Sequence, residues 1–366
     1  MPLALIAGAF GQGNPGDEAL LDAHLRVVDA SGWDALITAN DLELVTPELR
    51  DAAIAPRGRA AASACRRADA IIVGGGTVFG RLHPSTGRPA GDLLRRTAAL
   101  TAAARVFGTP IAFSGVGAAP VATASERALA RGIVRACDLL VLRDEESADE
   151  LRAMGAPPPF RVGADPAWTV LDGVAKATRD IDLLIVMSHL AVHRGLVGWL
   201  AAAVHRLPEA TRVTIVPWQQ QGADGAISGA LARMLGGRAD VVDAPVDLEA
   251  GASLAARAEV TLCLRFHGAM ASAIAGTPFV AVGHEPKLKA LARRLGAPYV
   301  DSGCAPNELA VAVRRAQENG AASQRLIDAE RHRAHDGLRL LRLLLNRGAE
   351  YEDAMVPSLA LEDGRA

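Results

Sequence analysis

Arg265 and His267, in the run Arg265-Phe266-His267-Gly268-Ala269-Met270, are the residues best suited to chemistry in this chain. A guanidinium grips a carboxylate or phosphate through paired hydrogen bonds. An imidazole moves protons near neutral pH. The run follows the apolar stretch Val260–Leu264, so a buried strand delivers both side chains, and strand alternation puts them on one side. Gly268 and small residues then open a helix whose first amides favour an anion. The competing reading is a helix-capping histidine beside a paired arginine. The segment Val282-Gly283-His284-Glu285-Pro286-Lys287 ends the next apolar run, beside Arg265. Only three of the 39 basic residues are lysines, Lys176, Lys287 and Lys289. Lys287 at a helix start is a local cation, whereas Lys289 suits a solvated helix face.

Three segments in the first half also end apolar runs. Gly8-Ala9-Phe10-Gly11-Gln12-Gly13-Asn14-Pro15-Gly16-Asp17-Glu18 is not a clean GxGxxG, and its acidic pair occupies the place of a pyrophosphate, which disfavours dinucleotide binding. Two readings stand. Either Asn14-Pro15-Gly16 makes a tight turn that Asp17 caps, or Asn14 and the acidic pair Asp17-Glu18 line an acceptor pocket and bind hydroxyls. Gly74-Gly75-Gly76-Thr77 carries more glycine than a strand-to-helix turn needs, which points to a loop facing a ligand. Ser114-Gly115-Val116-Gly117 repeats the pattern more weakly. Arg143-Asp144-Glu145-Glu146-Ser147 reads either as Asp144 capping a helix with acids in its first turn, or as Arg143 delivered to a strand end for binding.

The elements that must position these residues alternate. Short apolar runs occur at Leu3–Ala7, Ala35–Thr38, Ala70–Val73, Pro110–Ser114, Leu139–Leu142 and Phe160–Val162, with helical stretches such as Glu18–Asp29, Leu93–Phe107 and Ser125–Ala136 between them. The same grammar returns in Asp182–Met187, Val213–Val216, Val241–Val242, Val260–Leu264, Phe279–Val282 and Tyr299–Val300. Such alternation implies parallel sheets flanked by helices. The 366 residues suit two domains. We therefore expect an α/β chain of two Rossmann-like lobes facing one cleft, an N-terminal lobe over 1–172 and a C-terminal lobe over 180–348, hinged near Leu171–Arg179. Ligands of such sheets bind beyond the C-terminal strand ends. A long helical pattern, Ala321–Arg347, is interrupted at Gly337 and reaches back across the first lobe. The acidic stretch 349–366 is expected to fray.

Composition narrows the class. The net charge of -2 gives no global basic field, and 4% aromatics leave few stacking platforms, so nucleic acid is not an expected partner. The four cysteines form no CxxC pair, and no metal-ligand spacing occurs, so no metal or cofactor is expected. No secretory signal or membrane-spanning run is visible. The expectation is a cytoplasmic protein, from a high-GC bacterial genome given its arginine and alanine, with no oligomeric state implied.

Taken in order, the loop at Gly11 and Asn14–Glu18, Gly74–Gly76, Arg143–Ser147, Arg265–His267 and Glu285–Lys287 resemble the polysaccharide pyruvyl transferase family over roughly residues 1–300. The resemblance implies a GT-B-like pair of lobes. It also implies transfer of a pyruvyl group from phosphoenolpyruvate, as co-substrate, to a sugar or glycoconjugate acceptor, giving a ketal and phosphate. It implies catalytic roles for His267 and Arg265, donor binding by Arg143, Gly268, Glu285 and Lys287 on the C-terminal lobe's side, and acceptor binding by Asn14, Gly16, Asp17, Gly75, Gly76 and Thr77 on the first lobe's side. Arg81, His83 and Arg88 follow the glycine turn without a family counterpart, as either an anion-binding set or a solvated loop. The alternatives are a nucleotide-sugar glycosyltransferase, with Glu285 the candidate to grip a ribose, an acceptor that is a natural product, and a non-catalytic binding protein of the same shape.

Overall fold

A computed structural model describes residues 1–45, 47–55, 58–82, 88–189, 195–220, 222–283 and 285–346. His83, His284 and the stretch 349–366 lie outside the described residues. The chain divides into two compact units: Met1–Ala9, Leu20–Pro166 and His332–Ala366 form unit 1, and Phe10–Ala19 with Ala167–Arg331 form unit 2.

Unit 1 is built on a seven-stranded sheet with the order β3-β2-β1-β4-β5-β6-β7. Its strands are β1 (Leu3–Phe10), β2 (Asp34–Ala39), β3 (Ala53–Ile54), β4 (Ala70–Gly74), β5 (Ile111–Val116), β6 (Leu139–Leu142) and β7 (Arg161–Val162). Helices α1 (Pro15–Ala30), α2 (Gly58–Arg67), α3 (Asp92–Phe107), α4 (Ala124–Ala136) and α5 (Glu145–Ala153) connect them. The central strands read as continuous apolar runs because both faces are covered, as parallel sheets require. Ile71, Phe113, Leu140 and Leu142 lie at the heart of the core.

Unit 2 repeats the plan. Strands β8 (Leu183–Met187), β9 (Val213–Pro217), β10 (Ala239–Val241), β11 (Thr261–Cys263), β12 (Phe279–Gly283) and β13 (Tyr299–Asp301) order as β10-β9-β8-β11-β12-β13. Helices α6 (Leu196–Val204), α7 (Asp224–Leu235), α8 (Leu248–Ala256), α9 (Phe266–Ile274), α10 (Pro286–Arg294) and α11 (Pro306–Asn319) flank them. Strand order reverses between β8 and β11, which pair in parallel with Cys263 opposite Val186. That reversal opens a crevice beyond the strand ends, where such sheets take ligands.

The strand expectations match these elements within a residue or two, except that β1 runs three residues further, to Phe10, and the short edge strand β3 was not anticipated. Three other expectations are corrected. First, the Phe10–Ala19 segment groups with unit 2, because backbone bonds tie it there: Gln220 N–H donates to the Gly13 carbonyl at 2.9 Å. Second, helix α1 starts at Pro15, so Asn14 is its cap, its Oδ1 accepting from Gly16 N–H, while Asp17 sits in the first turn and accepts from Asn14 Nδ2 at 2.7 Å. Third, α12 (Gln324–Asn346) runs unbroken through Gly337. Its glycine is there for space, since a Cβ would meet the Val141 side chain at 3.0 Å. Residues from His332 onward group with unit 1.

Among the described residues no helix is long and apolar enough to cross a membrane. All four cysteines are free thiols. Burial pushes the Cys137 and Cys263 thiols up to about 12, so neither is a nucleophile at neutral pH.

Candidate functional site

In unit 2, the residues that could act on a ligand collect around the β8/β11 reversal. Strand β11 ends at Cys263, so Arg265 is not on a strand. It is the extended cap of α9, with φ -120° and ψ 140°. The alternation argument therefore fails for the Arg265–His267 pair, because the backbone has already begun to wind. What brings both residues to one site is instead the helix start and its partners.

Arg265 is held through a single nitrogen. Its Nη2 donates to Asp224 Oδ2 at 2.9 Å, to Asp224 Oδ1 at 3.1 Å and to Gln219 Oε1 at 3.3 Å, and lies 2.9 Å from His189 Nδ1. Its Nε is buried and has no hydrogen-bond partner among the described residues. Asp224, at the start of α7, is fully buried. Besides Arg265, it accepts from the backbone N–H of His189 and, at 3.1 Å, from that of Gln219. Burial pushes the Asp224 carboxyl up, but hydrogen bonding to His189 and the Arg265 guanidinium outweigh it and hold the carboxyl below its usual range.

His267 lies two residues further, in the first turn of α9, its ring edge-on to Phe266 at 5.2 Å. Its imidazole packs onto Gly16, so closely that a Cβ there would overlap Nδ1 and Cγ. Gly16 is therefore a seat for His267. The same loop is joined to Arg265 through Gln219, whose Nε2 donates to the Gln12 carbonyl at 3.3 Å while its Oε1 meets Arg265. Gly13, with φ +61°, has no room for a Cβ against Gln220. The loop also carries an unusual acid. Glu18 accepts from Gly11 N–H at 2.9 Å. Burial raises its carboxyl to about 7, with Asp17 adding to the rise.

The other predicted donor residues of unit 2 lie near by in sequence order but serve more local ends. Gly268 permits α9 to approach β8, since a Cβ would meet Val186 Cγ1 at 2.5 Å. Glu285 occupies the cap position of α10, without a side-chain capping bond, and pairs with Lys287 at 3.4 Å. Lys289 lies over the Tyr299 ring at 5.5 Å.

In unit 1, Arg143 is 4% exposed and bonds Asp144 at 3.0 Å, while Asp144 caps α5 through Ser147 N–H. Gly117 leaves room for its guanidinium, which a Cβ would meet at 2.6 Å. The glycine turn at the end of β4 has a packing or a backbone cause at each position. Gly74 makes way for the His24 ring, Gly75 for Leu20, and Gly75 and Gly76 both have positive φ. The premise that a turn there needs less glycine is thus corrected: two side chains of α1 close onto it. Thr77 follows, its methyl against Gly80. Arg81 pairs with Glu126 at 3.4 Å and is 45% exposed.

Reading the sequence missed His189, Gln219 and Asp224. The signal was present: each follows the C-terminal end of a parallel strand, the position already used to select Arg265. Asp224 stands further on, where α7 begins.

A profile described as polysaccharide pyruvyl transferase matches residues 14–286. No curated protein matches the chain in sequence. Among solved structures, Anabaena HepE in complex with UDP shares 11% identity at a TM-score of 0.61, covering 97% of this chain and 100% of that one. Methanocaldococcus jannaschii UDP-GlcNAc 2-epimerase shares 12% at 0.60, covering 95% and 100%. Acinetobacter baumannii MurG shares 16% at 0.52, again covering 95% and 100%. These likenesses establish a GT-B-like fold of two parallel α/β sheets.

Proposed function

The chain belongs to the polysaccharide pyruvyl transferase family, and on that premise we propose that it moves a pyruvyl group from phosphoenolpyruvate to two hydroxyls of a sugar or sugar-containing acceptor. The observation that carries this reading is the seat of His267 on Gly16, with Gln219 joining Gln12 to Arg265. It brings Arg265, His267 and the Gly11–Glu18 loop together, which supports roles for them in gripping an anion, carrying a proton and binding hydroxyls.

Phosphoenolpyruvate carries a carboxylate and a phosphate. Arg265, whose guanidinium bonds the described residues through Nη2 alone, supplies a grip on one of them. Lys287 is a second cation of the same unit. His267 delivers a proton to the vinyl carbon, which becomes a methyl group. The developing oxocarbenium-like carbon takes the first acceptor hydroxyl, which gives up its proton. The carbon–oxygen bond to phosphate then breaks, the second hydroxyl adds, and its proton leaves with phosphate. The products are a ketal and inorganic phosphate, with no change of oxidation state overall. Asn14 and Asp17 hold acceptor hydroxyls, and Glu18, with its carboxyl near 7, takes up a hydroxyl proton at neutral pH.

A second reading, a nucleotide-sugar transferase, is favoured by the UDP complex of HepE. The two are separated by phosphate release. Incubation with phosphoenolpyruvate and a panel of vicinal and 4,6-diol sugars is expected to liberate phosphate in proportion to a product heavier by one pyruvyl ketal. Turnover of a UDP-sugar, with none of phosphoenolpyruvate, would install the second reading.

A further inference from the structure

We infer that Asp224 is the positioning residue of the Arg265 anion site, acting through the guanidinium rather than on the substrate. The inference rests on the proposed reading of Arg265 as a donor grip and deepens it. Asp224 stands at the start of α7, yet its two oxygens reach three strand ends. Oδ1 accepts from the His189 backbone after β8, Oδ2 from the Gln219 backbone after β9, and both accept from Arg265 Nη2 after β11. Those three strands are neighbours, and β8 and β11 flank the reversal of strand order. One buried carboxylate therefore clamps the floor of the crevice.

The clamp also determines which part of Arg265 is offered. Among the described residues, every hydrogen bond of the Arg265 guanidinium is made through Nη2, including those with Gln219 and His189. Nε is buried with no such partner. A long arginine side chain left unheld spreads over many rotamers and loses affinity in proportion. Fixed by Asp224, it holds its remaining donors in a set direction for a carboxylate or phosphate. The electrostatic alternative runs the other way. A carboxylate beside an anion site repels the ligand, so if charge alone mattered, removing it would tighten binding.

The test measures the Kd of phosphoenolpyruvate by calorimetry on the full chain, below the melting transition of each variant. Asp224→Asn is expected to weaken binding about 10–100-fold, and Asp224→Glu, which keeps the charge but moves it, to weaken it as well. In an Arg265→Ala background, Asp224→Asn is expected to cost nothing further, since both act through one guanidinium. Equal or tighter binding by Asp224→Asn, or an undiminished loss in the Arg265→Ala background, overturns the inference. Should neither Asp224 variant fold, Gln219→Ala serves: a fall of about threefold supports the clamp, and wild-type affinity overturns it. If the wild type ignores phosphoenolpyruvate but binds inorganic phosphate, the proposed donor falls while the same cycle, run with phosphate, decides the role of Asp224. If it binds neither, both fall.

Discussion

Helix α1 takes part in two glycine–histidine contacts, one in each unit. In unit 1, His24 of the helix packs onto Gly74 at the end of β4. In unit 2, Gly16 of the helix receives His267 from the start of α9. The local device is the same, a missing Cβ that lets an imidazole lie against backbone. The surroundings differ. His24 is completely buried, with Nδ1 2.6 Å from the Leu20 carbonyl, and burial drops its pKa to about 4. It stays neutral at ordinary pH and works as packing. His267 is only partly buried and lies at a helix start, beside residues that hold Arg265. A glycine beside a histidine is therefore not in itself a site. The burial of the histidine and the company it keeps decide the matter.

That contrast is open to attack from both sides. The largest expected effect is on turnover. His267→Ala is predicted to lower pyruvyl transfer about 10²–10⁴-fold while leaving the melting temperature near wild type; undiminished phosphate release with a genuine acceptor would remove His267 from the chemistry. Gly16→Ala comes next. Its methyl must displace the imidazole, so kcat is expected to drop at least tenfold with a smaller change in stability, as read by paired kinetics and thermal melts. The mirror variant, Gly74→Ala, forces His24 aside in a closed core and is expected to cost about 1–3 kcal/mol of stability in chemical denaturation, with activity per folded molecule kept. If Gly74→Ala instead abolished turnover in well-folded protein, the two contacts would not differ as argued.

The smallest effect concerns pH, and the two residues of α1 pull in opposite directions. His24 is neutral in the fold down to about 4 but protonates near 6.5 when unfolded, so its contribution is lost as pH falls from about 6.5 to 4. Glu18 keeps its proton in the fold up to about 7 and loses it near 4.5 when unfolded, so it lowers stability as pH rises from about 4.5 to 7. Glu18→Gln is therefore expected to melt like wild type at pH 5 and on the order of 2 °C higher at pH 8. The acid-side loss should persist in that variant, because His24 carries it.

The strands and the two-sheet plan were legible because buried parallel strands are apolar runs of four to eight residues, and the runs stood apart. Arg265 and His267 were legible as residues at a strand end, though for a partly mistaken reason, since the chain is already helical at Phe266. The clamp around Arg265 was not legible. It depends on which strand ends become neighbours when the order reverses between β8 and β11, and His189, Gln219, Asp224 and Arg265 span 76 residues of chain. Nor was the seat of His267 on Gly16, a contact across 251 residues that no local spacing encodes. The packing at Gly74 and Gly75 was hidden for the same reason, because the side chains that meet them, His24 and Leu20, come from α1, far earlier in the chain.

The central claim is that Arg265 grips phosphoenolpyruvate. Thermal-shift titration of the wild type and Arg265→Ala with phosphoenolpyruvate, against UDP and GDP, tests it most directly, because a ligand of the folded state must raise the melting temperature by mass action. The account predicts a concentration-dependent rise with phosphoenolpyruvate in the wild type that is lost in Arg265→Ala. A rise with a nucleoside diphosphate alone, or one with phosphoenolpyruvate that survives the loss of Arg265, would contradict it.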